Sequence, residues 1–231
     1  MRLLTPLLDL LFPPRCIFCR GYLDGGQYSR DICQSCHDSL LDPAECCLRC
    51  CYPLSGVSHL CPACHDKTFS FQGTCALSVY QGNLKQVVHK YKYKGCRHFA
   101  PTLGRLAAAQ VKRCNWPALH EIVPIPLHPL RLAERGYDQA FLLARAIGDE
   151  LQLPVNQALV RIRPTPSQTR LHSLNRWDNV KNAFVVSPGL TLSGNILLVD
   201  DILTTGATAH NATEALLSAG AVNVYLTVVG R

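Results

Sequence analysis

The 231-residue sequence has no apolar run long enough to cross a bilayer. Its longest, Leu3 to Phe12, spans ten residues and is interrupted by Pro6 and Asp9, against the roughly 18 or more that a span needs. The acid inside that run and the lack of a small-residue cleavage site after it argue against a secretory leader. A cytoplasmic protein without membrane insertion is therefore expected. Methionine occurs only at Met1, and aromatic residues make up 7% of the chain, so haem ligation by methionine and an extensive base-stacking surface are both poorly supplied. No GxxxxGK[ST] loop occurs, which removes the P-loop nucleotide triphosphatases. With 48% hydrophobic and 17% charged residues, the chain is neither disordered nor coiled-coil in composition.

Cysteine is abundant instead. Ten of the thirteen lie between Cys16 and Cys64, arranged as four CxxC pairs: Cys16/Cys19, Cys33/Cys36, Cys47/Cys50 and Cys61/Cys64. That spacing lets two thiolates from one turn reach the same ion, and two pairs complete a tetrahedral zinc site. Two structural Zn2+ sites are expected, Cys16, Cys19, Cys33 and Cys36 forming the first and Cys47, Cys50, Cys61 and Cys64 the second. A segment this short and rich in Gly and Pro buries too little to order itself without metal, whose binding contributes about 10–16 kcal/mol in small zinc modules. Two pairs read CxxCH, with His37 and His65, a haem-attachment spacing that the other pairs and the missing axial methionine do not support. His37 and His65 could replace a cysteine or hydrogen-bond to the ligands from behind, but solvent-facing histidines are the expected reading. Cys46 and Cys51 flank the third pair, so a shifted ligand register there stays open.

Charge divides the chain at the same place. Residues 1–66 carry a formal net charge of −2 and residues 67–231 one of +9. We expect a double zinc ribbon over 1–66 and a larger domain over 67–231. Lys67 to His120 and Leu151 to Trp177 contain no acidic residue, the second being a basic, Pro/Ser/Thr-rich stretch suited to a loop that approaches an anion.

The larger domain alternates. Strands are expected at Cys75–Tyr80, Glu121–Ile125, Pro154–Val160, Ala183–Val186, Ile196–Val199 and Val222–Val229. Helices are expected at Asn83–Lys92, Pro101–Arg113, Asp138–Leu151 and Ala207–Ser218. Such alternation implies an α/β fold with an open, mainly parallel sheet, whose ligands lie beyond the carboxyl ends of its strands. There the apolar run Ile196–Val199 delivers Asp200 and Asp201, then Thr204, Thr205, Gly206, Ala207 and Thr208 open a helix. Free amides and hydroxyls at a helix N-terminus surround a phosphate, glycine permits close approach, and the paired acids accept from ribose hydroxyls or hold Mg2+ through water. Strand-end acids with an ordinary N-cap are the plainer alternative.

Val199 to Thr208 resembles the phosphoribosyl pyrophosphate (PRPP) motif of type I phosphoribosyltransferases. The wider set resembles the ComF/GntX family: Leu11-Phe-Pro-Pro-Arg-Cys16, Tyr91-Lys-Tyr-Lys94-Gly95, Val123-Pro-Ile-Pro126, Arg135-Gly-Tyr-Asp-Gln-Ala140, Arg163 to Gln168 and Asn175 to Phe184. The resemblance implies a type I phosphoribosyltransferase-like domain with flanking helices, binding PRPP with Mg2+. It also implies a role in natural competence, DNA uptake or use of external DNA. Pro126 to Pro129 is similar to the pyrophosphate loop, and Arg163 to Asn179 to the flexible loop over PRPP. Lys92, Lys94, Pro126, Leu127, His128, Arg131 and Arg135 are pyrophosphate-binding candidates; Arg163 and Arg176 are the catalytic candidates. Three functions compete: a PRPP-binding protein handling single-stranded DNA with competence or DNA-processing partners, a phosphoribosyltransferase with an unidentified nitrogen acceptor, and a PRPP-sensing regulator without turnover.

Overall fold

A computed structural model of the chain describes residues 13–23, 31–55, 59–65, 67–163 and 182–231. Two short helices, α1 (Gln34–Asp38) and α2 (Pro62–His65), each carry one CxxC cysteine into a cluster. The rest follows the order β1 (Gly73–Ser78), α3 (Gly82–Tyr93), α4 (Ala100–Arg113), β2 (Glu121–Pro124), α5 (Pro129–Arg135), α6 (Gln139–Leu151), β3 (Leu159–Arg161), β4 (Phe184–Val186), β5 (Asn195–Ile202), α7 (Ala207–Ser218) and β6 (Asn223–Gly230).

Four strands form a parallel sheet in the order β1-β6-β5-β2, with Leu198 of β5 opposite Val123 of β2 and Leu226 of β6. The α/β class and the parallel sheet are as the alternation implies. Both faces are covered, so the central strands read as unbroken apolar runs rather than alternating ones. Ile196, Leu198, Val224 and Leu226 point to one face, under α7 and the antiparallel β3–β4 pair. Leu197, Val199, Tyr225 and Val229 point to the other, under α3, α4 and α6. Helices α4 and α6 approach closely because Gly104 has no side chain: a Cβ there would lie 2.4 Å from that of Ala146.

Three expectations shift in detail. The strand expected over Pro154–Val160 is divided: Val155 bridges to Ile122 beside β2, whereas Leu159–Arg161 turns away to pair with β4. Strand β5 runs on past Val199 to Ile202, because Asp200 and Ile202 continue the ladder with Val228 and Gly230. Helix α5 lies where the sequence pattern sets no element; it starts on Pro129, is N-capped by His128 Nδ1 accepting from the Leu130 amide at 3.3 Å, and stops at the left-handed Gly136.

The cysteine-rich segment shares the sheet's cores. Cys47, Cys50, Cys61 and Cys64 join the core beneath α7, and Cys16, Phe18 and Ile32 join the one beneath α3 and α4. Its backbone also covers the outer edge of β1, where the Leu41 amide donates to the Leu77 carbonyl at 2.8 Å and the Thr74 amide to that of Leu48 at 3.4 Å. Edge strand β1 is thus paired on both sides.

Candidate functional site

Each cysteine cluster has its four sulfurs within 4.8 Å of one another: Cys16, Cys19, Cys33 and Cys36 in one, Cys47, Cys50, Cys61 and Cys64 in the other. Tetrahedral zinc with bonds near 2.3 Å places its sulfurs about 3.8 Å apart. Cys19 and Cys33 stand at 3.7 Å and Cys50 and Cys61 at 3.6 Å. Backbone amides already point at the sulfurs, Gly21 at Cys19 (3.4 Å) and Cys61 at Cys47 (3.3 Å), as around thiolate ligands. The residues fit two structural zinc ions. Cys46 and Cys51 stand outside both sets; each lies beside the other, and the Cys46 thiol together with burial pushes Cys51 well above the usual thiol range. His37 and His65 belong to neither set of four sulfurs.

A cleft of about 380 Å³ opens beyond the carboxyl end of β5. Asp200, Asp201 and the turn Thr204–Thr208 form its floor. Strand alternation sends the two acids to opposite sides of the sheet. Asp201 turns to the α3 face and meets Lys92, with Nζ 2.8 Å from Oδ1 and both side chains largely buried. Burial presses the Lys92 ammonium down, but Asp201 outweighs it and leaves the lysine above its usual range. Asp200 turns the other way, and its Oδ1 accepts from the Asp201 amide at 2.8 Å. Burial, with the charge of Asp201 next to it, pushes Asp200 up to about 7; Lys92 and Arg161 pull in the opposite sense.

The turn is built for close approach. Gly206 is left-handed (φ +83°) and its Cα faces the Phe69 ring, so that a Cβ would lie 2.4 Å from a ring carbon. The Thr205 hydroxyl accepts from the Ala207 amide at 3.5 Å, at the first turn of α7. Basic side chains line the walls: Lys85 and Lys92 from α3, Arg131 and Arg135 from α5, and Arg161 from β3.

Of the pyrophosphate candidates, Lys92, Pro126, Leu127, Arg131 and Arg135 line this cleft, whereas Lys94 and His128 do not. Lys94 caps the end of α3 and His128 the start of α5. The Leu127 amide donates to Asp138 Oδ2 at 3.1 Å, and the other oxygen of that carboxylate caps α6 through the Phe141 amide at 3.0 Å. Arg163 is exposed and away from the cleft lining, and Arg176 with most of the Arg163–Asn179 loop lies outside the described residues. Of the cleft's rim, Tyr93 stands in the Tyr91-Lys-Tyr-Lys94-Gly95 motif that the sequence singles out, whereas His89 does not. Along α3, Lys85, His89 and Tyr93 recur every four residues and all line it, while Leu84, Val88 and Tyr91 of the same helix are buried. The His89 and Tyr93 rings are 5.2 Å apart, and the Arg135 guanidinium sits 5.2 Å over Tyr93. The helical period that marks the buried face also marks this polar stripe.

Residues 7–65 match the family model described as a double zinc ribbon domain. The "DNA utilization protein YhgH" of Escherichia coli (strain K12) is 31% identical over 224 residues, covering 94% of this chain and 96% of that protein. The chain belongs to the ComF/GntX family. Other relatives are "Competence protein F" of Haemophilus influenzae, 29% identical over the same shares, and "Competence protein ComFC" of Bacillus subtilis, 26% identical over 89% of each. Among solved structures, the glutamine PRPP amidotransferase of B. subtilis aligns over 61% of this chain and 30% of its own, at 18% identity and a TM-score of 0.40. Adenine phosphoribosyltransferase of Leishmania tarentolae aligns over 65% and 74%, at 16% identity and a TM-score of 0.38. Among the described residues no helix is long and apolar enough to cross a membrane.

Proposed function

We propose that this chain binds PRPP with Mg2+ in the β5 cleft and serves the uptake or utilisation of DNA. The observation that carries the reading is the strand end itself: Asp200 and Asp201 lead into the turn 204–208, on the floor of a cleft walled by Lys85, Lys92, Arg131, Arg135 and Arg161. Amides and threonine hydroxyls at the start of α7 receive the 5-phosphate. The acids accept from the ribose hydroxyls, and Lys92 limits the repulsion that two adjacent carboxylates exert on an incoming polyanion. Mg2+ supplies charge neutralisation of the pyrophosphate when bound. Arg131 and Arg135 stand on the wall where that group would lie, and Asp138 holds the intervening turn through the Leu127 amide. Turnover would transfer the sugar C1 from pyrophosphate to a nitrogen nucleophile, with developing negative charge met by these cations.

The names of the relatives favour DNA as the biological setting, and the rim favours a nucleic-acid strand as the second ligand. Tyr93, 53% exposed between His89 and Arg135, offers a stacking surface flanked by positive charge. Tyr91, the other aromatic of that motif, is fully buried and donates its hydroxyl to the Gln139 carbonyl at 2.8 Å, so it takes no part.

Calorimetric titration with PRPP and Mg2+ tests the ligand. Asp200→Asn/Asp201→Asn is expected to weaken binding at least about a hundredfold with the fold retained, on the scale of two lost charge-assisted hydrogen bonds. Unchanged affinity removes the assignment. An acceptor screen on the same protein, read as pyrophosphate release, separates a transferase from a sensor.

A further inference from the structure

Arg231 follows the last residue of β6 and reaches two places at once. Its Nη1 donates to the Leu203 and Thr204 carbonyls at 3.4 and 3.3 Å, at the entrance to the turn 204–208. Its Nη2 lies 3.3 Å from Cys50 Sγ, a member of the second cysteine cluster. The guanidinium also sits 5.8 Å over the Tyr52 ring, beside that cluster. A second connection runs parallel to it. Arg49, between Cys47 and Cys50, donates to the Phe69 carbonyl at 3.3 Å, and the Phe69 ring is the surface against which Gly206 packs.

We propose that Arg231 is a positioning residue that makes order in the 204–208 turn depend on zinc in the second cysteine cluster. Four thiolates around Zn2+ leave a net charge near −2, and a guanidinium 3.3 Å from one of those sulfurs is held by that charge. Its planar fork then has its remaining donors fixed in direction, so the same charge that anchors one arm aims the other at the turn's carbonyls. Loss of the metal removes the centre on which the four sulfurs converge, so Cys50 no longer fixes one arm and the other loses its direction. The first cluster packs on the opposite face of the sheet with α3 and α4, so its metal has no such path to the turn. Calling 204–208 the phosphate-binding turn rests on the function proposed above; the link between metal and turn does not.

Two readouts on the zinc-loaded full chain test this: the rate of zinc loss to a chelator, and hydrogen exchange of the peptide covering 203–209. In the wild type, stripping zinc is expected to raise exchange of that peptide. Arg231→Gln is expected to release one of its two zinc ions faster, by the roughly ten- to hundredfold range seen when a ligand's supporting partner is removed. It should also show raised exchange in the peptide before any chelator is added, with stripping adding little more. Cys33→Ser/Cys36→Ser, which loses only the first site, should keep wild-type exchange there. An arginine that merely capped two carbonyls would loosen the turn without altering zinc release, and stripping would then raise exchange by the same factor in wild type and variant. Either result overturns the proposal. If Arg231→Gln also opens β5 and β6, Arg231→Lys decides: one point charge keeps the sulfur contact but not the fork, so zinc retention near wild type with a loosened turn is expected, and wild-type behaviour in both readouts overturns the link. Failure of the wild type to bind PRPP would overturn the proposed function and leave this coupling standing.

Discussion

At the scale of single residues, the Lys92–Asp201 pair is the feature that most changes how the cleft is understood. Lys92 reads from sequence as one more cation for pyrophosphate, because its spacing says only that it lies on a helix. Which strand residue it opposes depends on how α3 lies across β5, and no local pattern encodes that. Replacing Lys92 by Met leaves Asp201 charged and unpartnered by it; a loss of about 3 kcal/mol in urea denaturation is expected, the lower end for breaking a largely buried pair. The double variant Lys92→Met/Asp201→Asn should regain part of it. Asp200 gives a pH signature. Its folded-state value of about 7 lies above the unfolded carboxylate value near 4, so the native state binds the extra proton between these limits. This contribution to stability is full below about pH 4 and is lost as pH rises through 7. Asp138, also raised by burial, acts in the same sense. Taken as the difference from Asp200→Asn, in which the zinc sites' own pH dependence is the same, the thermal midpoint of the wild type is expected to fall as pH rises from 5 to 7.5.

At the scale of elements, legibility follows how much of an element's pattern is local. Helix α7 is read from sequence with the bounds it has, Ala207 to Ser218, because Gly206 marks its start and an apolar face continues to a clear stop. Helix α5 was hidden by the prolines around it, which at a first helical position favour rather than oppose a helix. The Pro154–Val160 segment reads as one strand, yet Val155 bridges to the sheet edge at Ile122 and Leu159–Arg161 joins an antiparallel pair with β4; the choice is made by the partners. Close contact between α4 and α6 is equally silent in sequence, since Gly104 reads simply as a weak point in a helix. Gly104→Ala would raise helix propensity but push the helices apart at Ala146. A net loss of about 1–3 kcal/mol in chemical denaturation is expected, the usual cost of overpacking, and a gain would show that the helices can shift freely.

At the scale of the molecule, the cysteine spacing identified both ligand sets, but not that they would be built into the sheet's own cores. Motifs report chemistry within a turn; docking of one segment on another depends on apolar surface spread over the whole chain, as with Phe18, Ile32 and Cys51 against β1 and α4. Zinc removal is therefore expected to lower the melting temperature of the entire chain. Circular dichroism of the helices and tyrosine fluorescence should shift together with chelator, whereas an unaffected helical transition would show that the ribbon is an independent appendage.

The seam between Leu41, Leu48 and β1 has a further consequence for the protein's life in a metal-poor cell. Newly made chains that have not yet captured their ions would carry a bare border of Thr74, Ala76 and Leu77, open to the same border on another copy. Scarcity of the metal would thus show first as clumping of nascent molecules, before any question of catalysis arises.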